Sequence, residues 1–516
     1  MRLSGVLLPT LASLAAPKGA HGRKFGSTLP EPPSYRWTNA IVNPSLRSES
    51  GKTLMPQNNK TSKYIVDGSA LPDIDFDVGE SYAGLMPIAR NGGYTNGTGD
   101  QLYFWLFPTD DEAGKDTITI WLNGGPYCSS LLGLLQENGP FLWLPGTERA
   151  IPNAWSWSRL TNMIWIEQPV GTGFTQGVPT ATSEEQLAAE FLSFWKNLVD
   201  TFDLHGKKVY ITGESYAGHY VPYIADAMFT ANDTDYFDVQ GTLLYAASIG
   251  QGAVERQVVA VPFMDQWPGI FTLSDSVAAD FHARYESCGF RAYLEKYLAY
   301  PPPGPFPPVP LATDECQNLW FDAVYAMWDV SPCFDYYRIT SACPYLSNVI
   351  SSAGGGDSRG AWFNRTEVQR AINAPLQEWK SCRDGPLDEL DTSAPSAWEV
   401  YPRVIERSRR SVLVNGALDF VIPEIGTRLV VQNMTWGGAQ GFQSEPEDKF
   451  YVPYEDGFTF VAEPLSGYGE MGITHSERGL TWVKQWGAGH MAPQNTPSAA
   501  FRQLEFLLGR IDRLTQ

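Results

Sequence analysis

Hydrophobic positions along the chain fall into short runs separated by turn-forming residues, with a helical stretch between them. QLYFWLFP (101–108) and DTITIWLNGG (116–125) read as strands, the second closing on a glycine-rich turn. NMIWIEQP (162–169) is a further apolar run that stops at a proline. In SEEQLAAEFLSFWKNLVDTF (183–202) the period changes. Leu187, Phe191, Phe194 and Leu198 share one helical face, and Ser183 with Gln186 makes a capping-box pattern at the start. KKVYITGES (207–215) predicts a strand running into a turn, and YAGHYVPYIADAMF (216–229) the helix after it. TLLYAASIG (242–250) and SVLVNGALD (411–419) predict later strands. Strands alternating with helices imply an α/β class, a largely parallel sheet with helices on both faces.

Residues 255–350 break that rhythm. They hold four of the six cysteines, helix-like stretches and the run PPPGPFPPVP (301–310), expected as an extended loop of polyproline type. The segment reads as a cap inserted over the sheet and stapled by local disulfides. It splits the core into residues 65–254 and 351–516. Residues 21–64, where Pro, Ser, Asn and Lys recur, read as an extended arm. Residues 1–20 combine Arg2, the short apolar run Val6–Ala16 and small residues after it. That is the pattern of a secretory signal peptide, and it is too short to span a bilayer. No later stretch reads as a transmembrane helix, and the polar C-terminus GRIDRLTQ carries no lipid-anchor signal.

With 516 residues, 43% of them hydrophobic and 18% charged, the chain can bury a large core, which excludes a disordered protein. The net charge of −20 argues against nucleic acid or an anionic membrane surface as a partner, and suits acidic surroundings. Sequons stand at Asn59, Asn96, Asn232, Asn364 and Asn433. The cysteines 128, 288, 316, 333, 343 and 382 are even in number, which suits disulfides, and none has the spacing of a zinc site. Leader, sequons and cysteines together predict a secreted protein, extracellular or vacuolar.

Ser215 stands at the end of a predicted strand in GESYAG, with Gly213 and Ala217 two residues to either side. A nucleophile elbow needs such small neighbours in a tight strand-to-helix turn, and here Ala takes the place of the second Gly of G-x-S-x-G. A serine nucleophile needs a base, and the base an orienting acid, which follow such an elbow in the order Asp, then His. Of the downstream histidines 282, 475 and 490, His490 lies in the glycine-rich WGAGHMAP, where a turn can aim the ring. Asp419 follows SVLVNGAL in a strand-end loop.

Taken together, GESYAGHY, NGALDFVIP and GAGHMAP resemble the three catalytic signatures of the serine carboxypeptidase family. WLNGGPYCSS, LLQENGPF and IEQPVGTGF resemble three further blocks of that family, and LPDIDFDVGESYAGLMPI resembles secreted fungal acid carboxypeptidases of the carboxypeptidase S1 type. The similarity runs from about residue 75 to the C-terminus. It implies an α/β-hydrolase fold and a serine-type carboxypeptidase that uses no metal or organic cofactor and acts on peptides and proteins with a free C-terminus. Ser215 would be the nucleophile, His490 the base and later acid, and Asp419 the orienting carboxylate. The N–H groups of Gly125 and Tyr216 would form the oxyanion hole, and Asn123, Glu137 and Glu214 would hold the substrate's terminal carboxylate. Two acids can bind a carboxylate only while protonated, and burial with mutual repulsion keeps them so at low pH. Activity with an acidic optimum is therefore expected.

The resemblance also implies a Cys128–Cys382 bridge; the other four cysteines are left with three possible connectivities. One position departs from the family: Tyr127 replaces the Gly after Pro126. If the backbone there needs φ > 0, a tyrosine is strained by about 1–2 kcal/mol. Its ring either lines the pocket or packs away from it. Transfer of the acyl group to an alcohol or amine, and a non-catalytic binding protein disabled by Tyr127, are the alternative functions. Oligomeric state is left open.

Overall fold

The structure, a computed structural model, describes residues 54–90, 93–94, 99–147, 149–311, 313–341, 343, 346, 348–350, 361–454 and 467–516. The signal-like segment, the arm up to residue 53 and the sequon at Asn96 lie outside the described residues. The strands of the main sheet are β1 (Ile65–Val66), β2 (Ser81–Pro87), β3 (Gln101–Phe107), β4 (Thr117–Leu122), β5 (Asn162–Glu167), β6 (Lys208–Glu214), β7 (Asp238–Tyr245), β8 (Arg410–Gly416), β9 (Asp448–Val452), β10 (Gly469–Glu477) and β11 (Leu480–Gln485). They run in the order β1-β2-β3-β5-β4-β6-β7-β8-β11-β10-β9.

The centre, from β5 to β11, is parallel throughout. Antiparallel strands extend both edges. The central strands are apolar along their whole length because both faces are covered; every residue of β4 and β5 is buried. Alternation sorts their side chains between two cores. Phe104, Ile118, Ile120, Ile164 and Ile211 pack with α1 (Glu184–Phe202) and α2 (Ala217–Ala231). Tyr103, Trp105, Trp121, Trp165 and Val414 face the opposite layer. Ser183 caps α1, accepting from the N–H of Gln186 at 3.4 Å. The Gln186 side chain accepts from Thr182 N at 3.0 Å, one residue before the position a capping box uses.

Between β7 and β8 the chain is helical. α3 (Asp275–Ser287), α4 (Phe290–Tyr297) and α5 (Leu319–Val330) enclose a third core with Phe263, Phe271, Trp320 and Phe420. The disulfides are Cys128–Cys382, Cys288–Cys316 and Cys333–Cys343. The last two join near neighbours in sequence within the helical segment. The first closes 254 residues and fastens the loop after β4 to the chain before β8. α6 (Pro497–Leu507) lies on the second face of the sheet.

Candidate active site

Ser215 follows β6 directly and adopts a left-handed backbone conformation, φ 61°, before α2 begins at Ala217. Three backbone hydrogen bonds hold this strained residue: its N–H donates to Tyr245 O, and its carbonyl accepts from Gly218 N and Ser248 N, each at 3.0 Å. A Cβ on Gly213 would stand 2.7 Å from that of Ala217 and 2.5 Å from Leu122 O. The turn therefore tolerates an alanine at 217 only because residue 213 is glycine. Gly124 is equally constrained, since a Cβ there would lie 2.4 Å from Tyr216 N and 3.0 Å from Ser215 Cβ. The loop after β4 is thereby pressed against the elbow. Among the described residues no hydrogen bond uses the N–H of Gly125 or of Tyr216.

Asp419 and His490 meet. Nδ1 of His490 lies 2.9 Å from Oδ2 of Asp419, and both side chains are buried. Oδ1 of Asp419 accepts from Val421 N at 2.7 Å and Ile422 N at 3.2 Å. Nε2 of His490 is buried and has no partner among the described residues. Burial disfavours the imidazolium, but the Asp419 carboxylate outweighs it and holds the His490 pKa above its ordinary value. The helical segment before β8 frames this pair, which the sequence reading did not foresee. Tyr337 O accepts from His490 N at 2.7 Å, Tyr336 O accepts from Phe420 N at 3.0 Å, and Ile339 N donates to Leu418 O at 3.1 Å. The Tyr337 ring stands edge-on to the imidazole at 5.0 Å.

Asn123, Glu137 and Glu214 form one buried cluster. Asn123 Nδ2 donates to Glu214 Oε1 at 2.8 Å and to Glu137 Oε1 at 3.3 Å. Its Oδ1 is held by Trp121 Nε1 at 2.8 Å and Gly133 N at 3.0 Å. That orientation presents the amide N–H groups to the two carboxyls. The Oε2 atoms of Glu137 and Glu214 have no partner among the described residues. Burial raises the Glu137 pKa to about 7. Glu214 is also pushed well upward, by burial first and then by the charge of Glu137, with His490 opposing.

Tyr127 has a positive φ of 63°, so the strained conformation is real. Its ring, 1% exposed, packs against Gly385, where a Cβ would stand 2.3 Å from the ring. Its hydroxyl accepts from Leu387 N at 3.3 Å. A ring so enclosed lines no open pocket. Glu167, at the end of β5, was missed by the sequence reading. It is fully buried and accepts from Ser129 Oγ, from Phe174 N at 2.5 Å and from Trp379 Nε1 at 3.2 Å. It thus ties β5 to both sides of the Cys128–Cys382 bridge. An acid ending an otherwise apolar strand was the available signal. Among the described residues no group of three or more His, Cys, Asp and Glu side chains is placed to hold a metal, and no helix is long and apolar enough to cross a membrane.

An elbow serine, a buried Asp–His pair and a buried pair of acids sharing one amide are the parts that known proteins can be compared with. The sequence model of the serine carboxypeptidase family matches residues 76–509. The chain belongs to the serine carboxypeptidase family. It is 49% identical over 487 residues to a probable serine carboxypeptidase of Arthroderma benhamiae, covering 91% of this chain and 90% of that one. To the serine-type carboxypeptidase F of Aspergillus niger it is 42% identical over 478 residues, covering 89% and 88%. The solved structure of Kex1(delta)p, a prohormone-processing carboxypeptidase from Saccharomyces cerevisiae, superposes with a TM-score of 0.69, covering 88% of this chain and 98% of that one. At 22% identity this likeness speaks to the fold, which is that of a serine carboxypeptidase on a large mixed sheet.

Proposed function

We propose that the chain releases residues one at a time from the C-termini of peptides and proteins through an acyl-enzyme at Ser215. The observation that carries this reading is the buried Glu137–Glu214 pair bridged by Asn123, with Glu214 directly preceding Ser215. A hydrolase of internal bonds or simple esters has no use for two acids there. A carboxypeptidase does, because protonated carboxyls and the Asn123 amide can all donate to a terminal carboxylate.

In the reaction, Ser215 Oγ attacks the last peptide carbonyl and gives its proton to His490 Nε2. The N–H groups of Gly125 and Tyr216 receive the charge that develops on the carbonyl oxygen. The C–N bond breaks as His490 returns the proton to the departing amino acid. Water, losing a proton to the same nitrogen, then attacks the acyl carbon and frees Ser215. Asp419 keeps the ring's Nδ1 protonated, leaving Nε2 as the base. Ionisation of the acid pair would replace donors with repulsion, so the reading includes an acidic optimum. Amino-acid release from a defined peptide at pH 4–5, compared with Ser215→Ala, tests the proposal. Equal release by both proteins rejects it.

The proposal extends to destination and organisation. The leader-like start and the exposed Asn59, Asn232, Asn364 and Asn433 support a secreted glycoprotein, extracellular in preference to vacuolar. The third core, with its two local disulfides, supports residues 255–350 as a cap between the two parts of the hydrolase core.

A further inference from the structure

The outer face of α5 is aromatic. Phe321, Tyr325 and Trp328 stand four and three residues apart, so they project from one side of the helix. They are 46%, 59% and 37% exposed. The opposite side of the same helix, with Leu319, Trp320, Ala323, Val324 and Met327, is already buried in the third core. Trp328 also anchors the loop after the helix, its Nε1 donating to Phe334 O at 2.9 Å, and Phe321 stands edge-on to Trp320 at 4.9 Å, yet all three rings keep much of their surface exposed. Scattered exposed apolar residues are ordinary, but a contiguous strip marks a contact surface.

The strip leads to the catalytic imidazole by ring contacts. Tyr325 lies 5.6 Å from Trp328, Trp328 5.8 Å from Tyr336, Tyr336 4.9 Å from Tyr337, and Tyr337 5.0 Å from His490. Tyr337 itself is 44% exposed. The steps of 4.9–5.8 Å are shorter than the roughly 6.6 Å that separates alternate side chains on one side of an extended peptide, so consecutive rings offer an unbroken surface along such a chain.

We propose that this strip is an upstream subsite of the cleft, taking aromatic or bulky apolar side chains of a peptide substrate on the N-terminal side of the scissile bond. The inference rests on the carboxypeptidase reading. That reading places the substrate's terminal carboxylate at the buried Glu137–Glu214 pair. The rest of the peptide must leave toward solvent past His490, and the ring next to His490 is the first of a series that continues to the surface. Rings prefer edge-on or offset contact with other rings, and tyrosine and tryptophan offer wide area at low entropic cost. The occupant is thus the substrate's own chain, selected at a distance from the bond that breaks.

The test uses the full chain and blocked peptides with the same last two residues: a dipeptide, a hexapeptide with aromatic upstream residues, and one with serines there. The aromatic hexapeptide is expected to exceed the other two in kcat/KM by about tenfold. Phe321→Ser/Tyr325→Ser should bring the three within about twofold while leaving dipeptide hydrolysis and the melting temperature unchanged. Tyr325→Phe should retain the preference. Equal kcat/KM for all three peptides in the parent overturns the proposal, as does a preference that survives the double variant or an equal loss on the dipeptide. A parent dimer that the double variant dissolves, with the preference intact, assigns the strip to a second copy instead. Calorimetric binding of the aromatic hexapeptide needs no turnover. If no peptide is cleaved the carboxypeptidase reading fails, whereas equal binding by parent and double variant sinks the subsite alone.

Discussion

Asp419 spends one carboxylate oxygen on the N–H groups of Val421 and Ile422 and the other on Nδ1 of His490, at 2.9 Å. This fixes both the ring's orientation and its tautomer. An asparagine at 419 would keep its oxygen toward the two backbone donors and turn its amide nitrogen toward the ring, favouring the wrong tautomer. Asp419→Asn is therefore expected to lower kcat by about 10³–10⁴ with little change in KM. Steady-state kinetics on a blocked dipeptide measures it, and a fall below about tenfold would remove Asp419 from this role.

On the proposed function, the acid pair would set the alkaline side of the pH profile. Burial raises the pKa of Glu137 to about 7 and, with the charge of Glu137, raises that of Glu214 as well. Below that range the pair would donate to a substrate carboxylate; above it the pair would repel one. The charge of Glu214 also helps hold the proton on His490, so protonating Glu214 makes the base easier to free. Glu137→Gln/Glu214→Gln leaves neutral donors at every pH. The decline of kcat/KM above pH 7 should vanish in this variant, and a profile that still falls there as in the parent would refute the assignment.

Glu167 makes a pH-dependent contribution to stability. Burial raises its pKa from 4.5 to about 7. The native state therefore holds a proton that the unfolded state releases between those values. Stability from this group is complete below about pH 4.5 and is lost as pH rises through 7. Glu167→Gln removes that slope, so the stability difference between variant and parent should move by about 3 kcal/mol in the variant's favour from pH 4 to pH 8. Denaturant unfolding at the two pH values measures it; a constant difference would show that Glu167 does not titrate in this range.

Tyr127→Gly sets relief of backbone strain against loss of packing. The left-handed conformation costs a tyrosine about 1–2 kcal/mol, and emptying a buried aromatic site costs about 3–5 kcal/mol. The cavity term wins, so a net loss of roughly 1–4 kcal/mol is expected in chemical unfolding, with no gain on bulky substrates. A variant more stable than the parent would reverse this ranking.

Cys128→Ser/Cys382→Ser releases the loop that carries Gly125. Opening a closure of 254 residues should cost roughly 2–5 kcal/mol. On the proposed oxyanion role of the Gly125 N–H, kcat should fall more than KM rises. Unchanged kcat in a folded variant would show that glycine packing alone holds the loop.

The central strands were legible because burial on both faces makes them continuous apolar runs, as in TITIWL and NMIWIE. Ser215 was legible through small neighbours that the turn geometry requires. Other features leave little trace in one dimension. The β10–β11 hairpin turns on Arg478 and Gly479, both at positive φ, without the Asn-Gly or Asp-Gly pair that usually announces such a turn. The backbone carbonyls of Tyr336 and Tyr337 support the catalytic loops through main-chain bonds that any residue type can make. The pairing within residues 288–343 depends on how α3 to α5 pack, which cysteine spacing does not encode.

Sheet order has a consequence for when the enzyme can act. β6, β7, β8 and β11 are neighbours in space, yet β11 and the loop bearing His490 come more than 260 residues after β6 in the chain. A chain made only as far as β8 holds Ser215 without His490, the base of the proposed mechanism. On that mechanism the molecule stays inert toward the cell's own proteins until β11 and the His490 loop have been made and the last parallel strand has docked.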